Sequence, residues 1–184
     1  MPVDLFPGVP PEVQEMFARM GLCLSLIQSA EKTLAGCFAT VFHDAPVMSE
    51  QSIAAEEEGV QKKTLGQLLA KLRERVYIEP AFDASLRSFL DNRNTFVHGS
   101  TTRPEFGLDD SEGRKRLCAL IDQIIRQSLS VVQVLTAVTI EFADALGKTL
   151  NETFVEPKTP EERVLIGEFR SMIPGLAGTF VRQR

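Results

Sequence analysis

Arg93, Asn94 and His98 stand within one run, Arg93-Asn94-Thr95-Phe96-Val97-His98, with Gly99 directly after. These residue types suit metal-independent cleavage of RNA. In that reaction the 2′-hydroxyl attacks its own phosphate, leaving a cyclic phosphate and a free 5′-hydroxyl. One oxygen must lose a proton and another must gain one, and an imidazole does either near neutral pH. Negative charge builds on the phosphate, and a planar guanidinium answers it with paired hydrogen bonds. Asn94 could orient the histidine or the substrate. A helix C-terminus beside His98 favours its protonated form, which suits a general acid. One chain offers only one such histidine, so a homodimer with both copies facing one cleft is expected.

The elements that must position this set can be read from apolar periodicity. A helix from about Ala81 to His98 carries the stripe Phe82, Leu86, Phe89, Arg93, Phe96. Arg93 stands where an apolar residue is expected, and charged residues rarely enter such a stripe without a partner or a task. Asn94 and His98, four apart, lie one above the other on the neighbouring face. Gly99 is expected to end the helix in the left-handed conformation. A long first helix, from about Pro11 to His43, carries Val13, Phe17, Met20, Leu24, Ile27, Glu31, Leu34, Phe38 and Val41 at spacings of three and four. Leu22 and Leu26 add apolar surface on another face, so this helix should be covered on more than one side. Glu31 interrupts its stripe as Arg93 interrupts the other. The two residues suggest a buried ion pair or a shared polar pocket, and the sequence leaves the choice open.

The remaining elements are also helical. Residues 44–63 are polar, with Pro46 and Glu56-Glu57-Glu58, and read as a loop, either mobile or holding a short helical piece. The glutamate run reads as a solvated charge run. A helix from about Thr64 to Arg75 carries Leu65, Leu68, Leu69 and Leu72. After a loop around Pro104 and Gly107, a long helix runs to about Leu146, capped by Asp109, Asp110 or Ser111. A short helix at about 161–172 follows the prolines Pro157 and Pro160. No alternating strand pattern stands out. The expected architecture is all-α, an up-and-down bundle of four to five helices in one domain over 1–184. Its core spans about 11–146, and 147–184 form a C-terminal extension.

Composition narrows the function. The net charge is −5, so no global basic field awaits nucleic acid, and any RNA contact must come from a local patch. Arg87 and Arg103 flank the cluster in sequence and could widen a phosphate-contacting rim. Arg114-Lys115-Arg116 reads first as a solvated helix face and second as part of that rim. His43 beside Asp44 reads as a surface histidine. Two histidines and no close ligand set give poor support for a metal. No glycine-rich phosphate loop is present, and no cofactor is expected. Cys23, Cys37 and Cys118 are far apart in apolar stretches, so free thiols in a reducing cytoplasm are the simplest reading. The start lacks the basic and apolar segments of a secretory signal. No run of about 18 uninterrupted apolar residues suggests a membrane span.

The Arg-Asn-xxx-His element near a helix end, in a small helical bundle, resembles the HEPN superfamily of higher eukaryote and prokaryote nucleotide-binding domains. Lys63-Thr64-Leu65-Gly66-Gln67-Leu68 and Phe89-Leu90-Asp91-Asn92-Arg93-Asn94-Thr95-Phe96-Val97-His98 look like uncharacterised bacterial members. The resemblance covers roughly 11–146, and its specific part is about ten residues long. Many members are metal-independent ribonucleases of toxin–antitoxin, abortive-infection and CRISPR-associated systems, and they commonly pair their motifs across a dimer. The resemblance implies an endoribonuclease with Arg93 as phosphate stabiliser, His98 as acid or base, and Asn94 in support. Glu31, Arg87 and Arg103 would be supporting or substrate-binding residues. It also implies an RNA substrate and a protein antitoxin or regulator. Ser100 stands where members modified by a partner nucleotidyltransferase carry tyrosine. Other members are inactive, so a non-catalytic helical dimer that binds a protein partner or a nucleotide is the alternative. A small-ligand binder with a pocket between helices is a third reading.

Overall fold

The computed structural model describes residues 8–42, 50–61, 63–100, 102–108, 110–145 and 180–182. Among them are five α-helices, α1 (Pro11–Thr40), α2 (Glu50–Gln61), α3 (Leu65–Arg75), α4 (Pro80–Gly99) and α5 (Ser111–Ala145). A 3-10 turn, Pro104–Phe106, lies between α4 and α5. Two short strands, β1 (Val76–Ile78) and β2 (Phe180–Arg182), pair antiparallel, with Tyr77 opposite Val181. The described chain is mostly helical, an all-α architecture. The helix expected at 161–172, the prolines Pro157 and Pro160, and His43 lie outside the described residues.

Local signals explain the helix starts. Pro11 opens α1, where its missing N–H costs nothing. Thr64 caps α3 in a reciprocal box with Gln67: the Thr64 N–H donates to Gln67 Oε1 at 2.9 Å, and the Gln67 N–H donates to Thr64 Oγ1. The Glu79 carboxylate accepts from the Phe82 N–H at 3.0 Å and caps α4. The Asp110 carboxylate accepts from the Gly113 N–H at 2.7 Å at the start of α5.

The core is the seam between the two long helices. Leu117, Ile121, Ile124, Val131 and Leu135 of α5 meet Cys23, Ile27, Leu34 and Phe38 of α1. The helices run parallel, because Arg19 pairs with Asp122 at 2.6 Å near their starts, while the Cys37 thiol donates to the Leu135 carbonyl at 3.6 Å further on. Helix α4 runs antiparallel to α5: Gln127, midway along α5, bonds Asn92 and Ser88, and the turn that follows the end of α4 meets the start of α5, where Arg116 donates to the Glu105 carbonyl. It follows that α4 is also antiparallel to α1. Burial pushes the Cys23 and Cys37 thiols up to about 11, even though Thr139 hydrogen-bonds Cys37 in the opposite sense. Ser128 lies on the α5 seam with its hydroxyl fully buried and without a partner among the described residues.

The structure departs from six expectations. In the first half of α1 the seam runs through Met16 and Cys23, while Phe17 and Leu24 are 42% and 44% exposed. Two apolar strips compete there, and the one facing α5 is buried. The covering expected on a second side is therefore incomplete, since Leu22 is exposed as well. Residues 50–61 form helix α2 rather than a loop. Val60 anchors it in the core, and Glu56 is no solvated charge: it accepts from Lys71 at 2.7 Å and Arg75 at 3.3 Å. Burial alone would raise the Glu56 carboxyl, but the hydrogen bonds and charges of Lys71 and Arg75 outweigh it and hold the group below its ordinary value. Both cations also lie over the Phe38 ring, at 5.7 and 5.3 Å from its centroid. Gly99 is not left-handed. Gly8 is the one described glycine with positive φ, and Gly99 ends α4 in helical geometry before Ser100. The strand β1 follows α3 directly, where no strand is signalled in the sequence.

By length and mean hydropathy, residues 111–142 of α5 are sufficient to cross a membrane. In the bundle this stretch is the central core helix, with Arg116, Gln123, Arg126 and Gln133 at exposed positions.

Candidate functional site

Arg93 reaches from α4 to α1. Its Nη2 lies 3.1 Å from Glu31 Oε1, and its Nε donates to the same oxygen at 3.2 Å. The two residues that break their apolar stripes therefore meet as an ion pair. The pair is not sealed, because the side chains are 23% and 28% exposed. Its cause is the antiparallel approach of α4 to α1, with Phe89 and Phe96 buried on either side of Arg93 along the helix. Arg93 Nη1 also donates to Asn94 Oδ1 at 3.1 Å, so two acceptors fix the plane of the guanidinium.

His98 is exposed one turn beyond Asn94. Its side chain makes no hydrogen bond with the described residues, and its carbonyl accepts from Thr102 Oγ1 at 2.9 Å. Arg87, Asp91, Asn94 and His98, at spacings of four, three and four, form one exposed strip along α4. Arg93 lies off this strip. Five residues on a helix of 3.6 per turn leave about 140° between Arg93 and His98. Asn94, bonded to Arg93 and stacked below His98, is the link between them. Arg87 belongs to the strip but lies about three turns from His98. It pairs with Asp83 at 2.5 Å. Asp83 also accepts from Arg73 at 2.7 Å; burial alone would raise its carboxyl, and the hydrogen bonds and charges of the two arginines hold it below its ordinary value.

Arg103 returns to the other end of the strip. The chain turns after α4, with the Arg103 N–H donating to the Gly99 carbonyl at 2.9 Å. The Arg103 side chain then folds over Gly99 so closely that a Cβ there would lie 2.8 Å from Arg103 Nε. Gly99 is thus the flat seat that brings Arg103 beside the residue following His98. The only sequence signal for this seat is the four-residue spacing across a turn. Arg116 is exposed, as a solvated helix face requires, and its Nε donates to the Glu105 carbonyl at 2.8 Å in the turn after Arg103.

Three hollows adjoin these elements, and the one beside Arg87 and Asp83, over Ile78 and Pro80, measures about 340 Å³. One of about 210 Å³ lies between α1 and α3 and is lined by Gln28, Glu31, Lys32, Lys63 and Leu68, so the Glu31 carboxylate borders it. Another of about 510 Å³ lies between the starts of α1 and α5, over Met16, Arg19, Cys118 and Asp122, and His98 does not line it. Among the described residues no group of three His, Cys, Asp or Glu side chains is placed to hold a metal ion.

No family model matches this chain, and neither curated proteins nor solved structures provide a match.

Proposed function

We propose that the chain is a metal-independent endoribonuclease of the HEPN type, acting as a homodimer in the cytoplasm. The observation that carries this reading is the placement of the three motif residues. Arg93 is held between Glu31 and Asn94 and stays about a quarter exposed, and His98 stands exposed at the end of the same helix. The remaining N–H groups of Arg93 would meet the oxygens of the reacting phosphate as charge builds there. His98 would take the 2′-hydroxyl proton or give one to the leaving 5′-oxygen.

Arg93 and His98 diverge around α4 and do not share one face within a single copy, which counts against a site built from one chain, so the reading depends on a second copy. One copy alone offers a single imidazole, whereas the reaction needs a base and an acid. A two-fold axis along the α4 face would bring two imidazoles and two guanidiniums to one strand. Val97, 40% exposed between the motif residues, would be covered by the same contact. A setting in stress response or phage defence, and a protein antitoxin or regulator, follow from the family resemblance alone.

The test is cleavage of end-labelled RNA by wild type, Arg93→Ala and His98→Ala. Wild-type cleavage in EDTA that leaves a cyclic phosphate, and its loss in both variants, is the expected result. Activity lost in EDTA, or retained when the scissile 2′-hydroxyl is removed, overturns the mechanism.

The second reading is a non-catalytic helical dimer that binds a protein or a nucleotide. The engagement of Arg93 by two acceptors and the net charge of −5 favour it. In that case His98→Ala shifts the dimer equilibrium and no RNA is cut.

A further inference from the structure

The hollow of about 510 Å³ between the starts of α1 and α5 falls within the size range of small-ligand pockets. Its lining is mostly apolar, with Met16 buried beneath it and Cys118 half-covered beside Ala119. Its charges are sorted by wall. Two of the cations that border it are already neutralised. Arg19 pairs with Asp122 at 2.6 Å, bridging the two helices at the end away from their starts, and Lys115 pairs with Glu112 at 2.7 Å. What remains is of opposite sign on opposite helices. On α1, Glu12 and Glu15 stand one turn apart, both exposed, and their side chains meet no cation or hydrogen-bond donor among the described residues. On α5, Arg114 donates one N–H to the Leu108 carbonyl at 2.7 Å, a neutral acceptor that orients the guanidinium and leaves its charge. Asp110 feels that charge from beyond ion-pair distance, with its carboxyl engaged by the Gly113 N–H at 2.7 Å.

We propose that this groove binds a small zwitterion with an apolar side chain, of the class of the apolar α-amino acids. A plain anion would meet Arg114 but face Glu12 and Glu15, and a plain cation would meet the reverse. A neutral apolar molecule would answer neither wall. A zwitterion answers both, its ammonium toward Glu12 and Glu15, its carboxylate on the remaining N–H groups of Arg114, and its side chain over Met16 and Ala119. The Arg19–Asp122 bridge bars the groove at one end, so it suits a small molecule and not a chain running through. His98 does not line the hollow, and the inference is independent of the nuclease reading.

The test uses the full chain and follows alkylation of Cys118 by iodoacetamide, read by mass spectrometry, since this thiol borders the groove while Cys23 and Cys37 are buried. The probes are L-phenylalanine, its amide, which lacks the carboxylate, and 3-phenylpropanoate, which lacks the ammonium. Phenylalanine should slow the alkylation in a saturable way, and each of the other two should need about tenfold higher concentration. With Glu12→Gln and Glu15→Gln together, phenylalanine should protect no better than 3-phenylpropanoate protects wild type. With Arg114→Gln it should fall to the level of the amide. Glu12 and Glu15 pair with nothing among the described residues, so their variant tests the proposal whatever Arg114→Gln does to the 108–113 turn. Equal protection by all three probes means apolar contact alone and overturns the proposal. So does protection by none of them, or protection by phenylalanine that survives the double glutamate variant undiminished.

Discussion

Arg93 directs its Nε and one Nη to the same oxygen of Glu31, at 3.2 and 3.1 Å, across the approach of α4 to α1. Such a pair, about a quarter exposed, lies between the weak surface case and the costly buried one. Removing one partner strands the other in a half-dry cleft. Glu31→Ala is expected to lower stability by about 1–2 kcal/mol, and the double-mutant cycle with Arg93→Ala should show coupling of about 1 kcal/mol. Urea denaturation of the four proteins measures both. Additive losses would mean that the two groups act separately.

Glu56 and Asp83 make the fold acid-sensitive. Both carboxyls are held below their ordinary values in the folded chain, so the unfolded state binds protons first as pH falls. Their stabilisation is fully present above the unfolded values and is lost as pH drops through the depressed folded ones. Stability should be level near neutrality and fall below pH about 4. Glu56→Gln should be less stable than wild type at neutral pH and lose less on acidification. Urea midpoints at several pH values check this, and parallel acid limbs for the two proteins would contradict it.

Gly99 and Gly113 look alike in sequence and should respond differently to alanine. A Cβ on Gly99 meets the flexible end of Arg103, which can swing aside. A Cβ on Gly113 would lie 2.3 Å from the carbonyl oxygen of Gly107 and 2.7 Å from its nitrogen, which are backbone atoms. Gly99→Ala should therefore stay within about 1 kcal/mol of wild type, helped by the better helix propensity of alanine. Gly113→Ala should cost about 2–3 kcal/mol, because the close approach of the 107–110 turn to α5 must open. Thermal unfolding separates the two.

Ser128 carries a fully buried hydroxyl with no partner among the described residues. Alanine there keeps nearly the same shape and removes the desolvated group. Ser128→Ala should leave stability unchanged or raise it by up to about 1 kcal/mol. A loss of more than that, read from the denaturation midpoint, would reveal a hydrogen bond within the seam.

Much of the helical layout is legible in the sequence because single residues announce it. Pro11, Thr64 with Gln67, and Asp110 each mark a helix start by satisfying or omitting a backbone donor. The Glu31–Arg93 contact is legible for another reason: each is a charge in an apolar stripe, and two such intrusions invite a partner. Helix α2 was hidden because its support is distant. Val60 is one apolar anchor with no period around it, and the partners of Glu56 lie 15 and 19 residues on. The buried side of early α1 was hidden because Met16–Cys23 and Phe17–Leu24 are equally apolar at the same spacing. Only the position of α5 chooses between them. The seating of Arg103 on Gly99 depends on the path of a turn, which residue type does not encode.

Cys23 and Cys37 lie on the face where α1 and α5 touch, while Cys118 is only half-covered at the rim of the groove beside it. A thiol-specific reagent therefore reads two events on one chain. Its reaction with Cys118 follows simple access from solvent. Its reaction with the other two waits for the long helices to part. The molecule thus carries its own clock for the separation of its central pair, with a reference hand that runs whether or not they move.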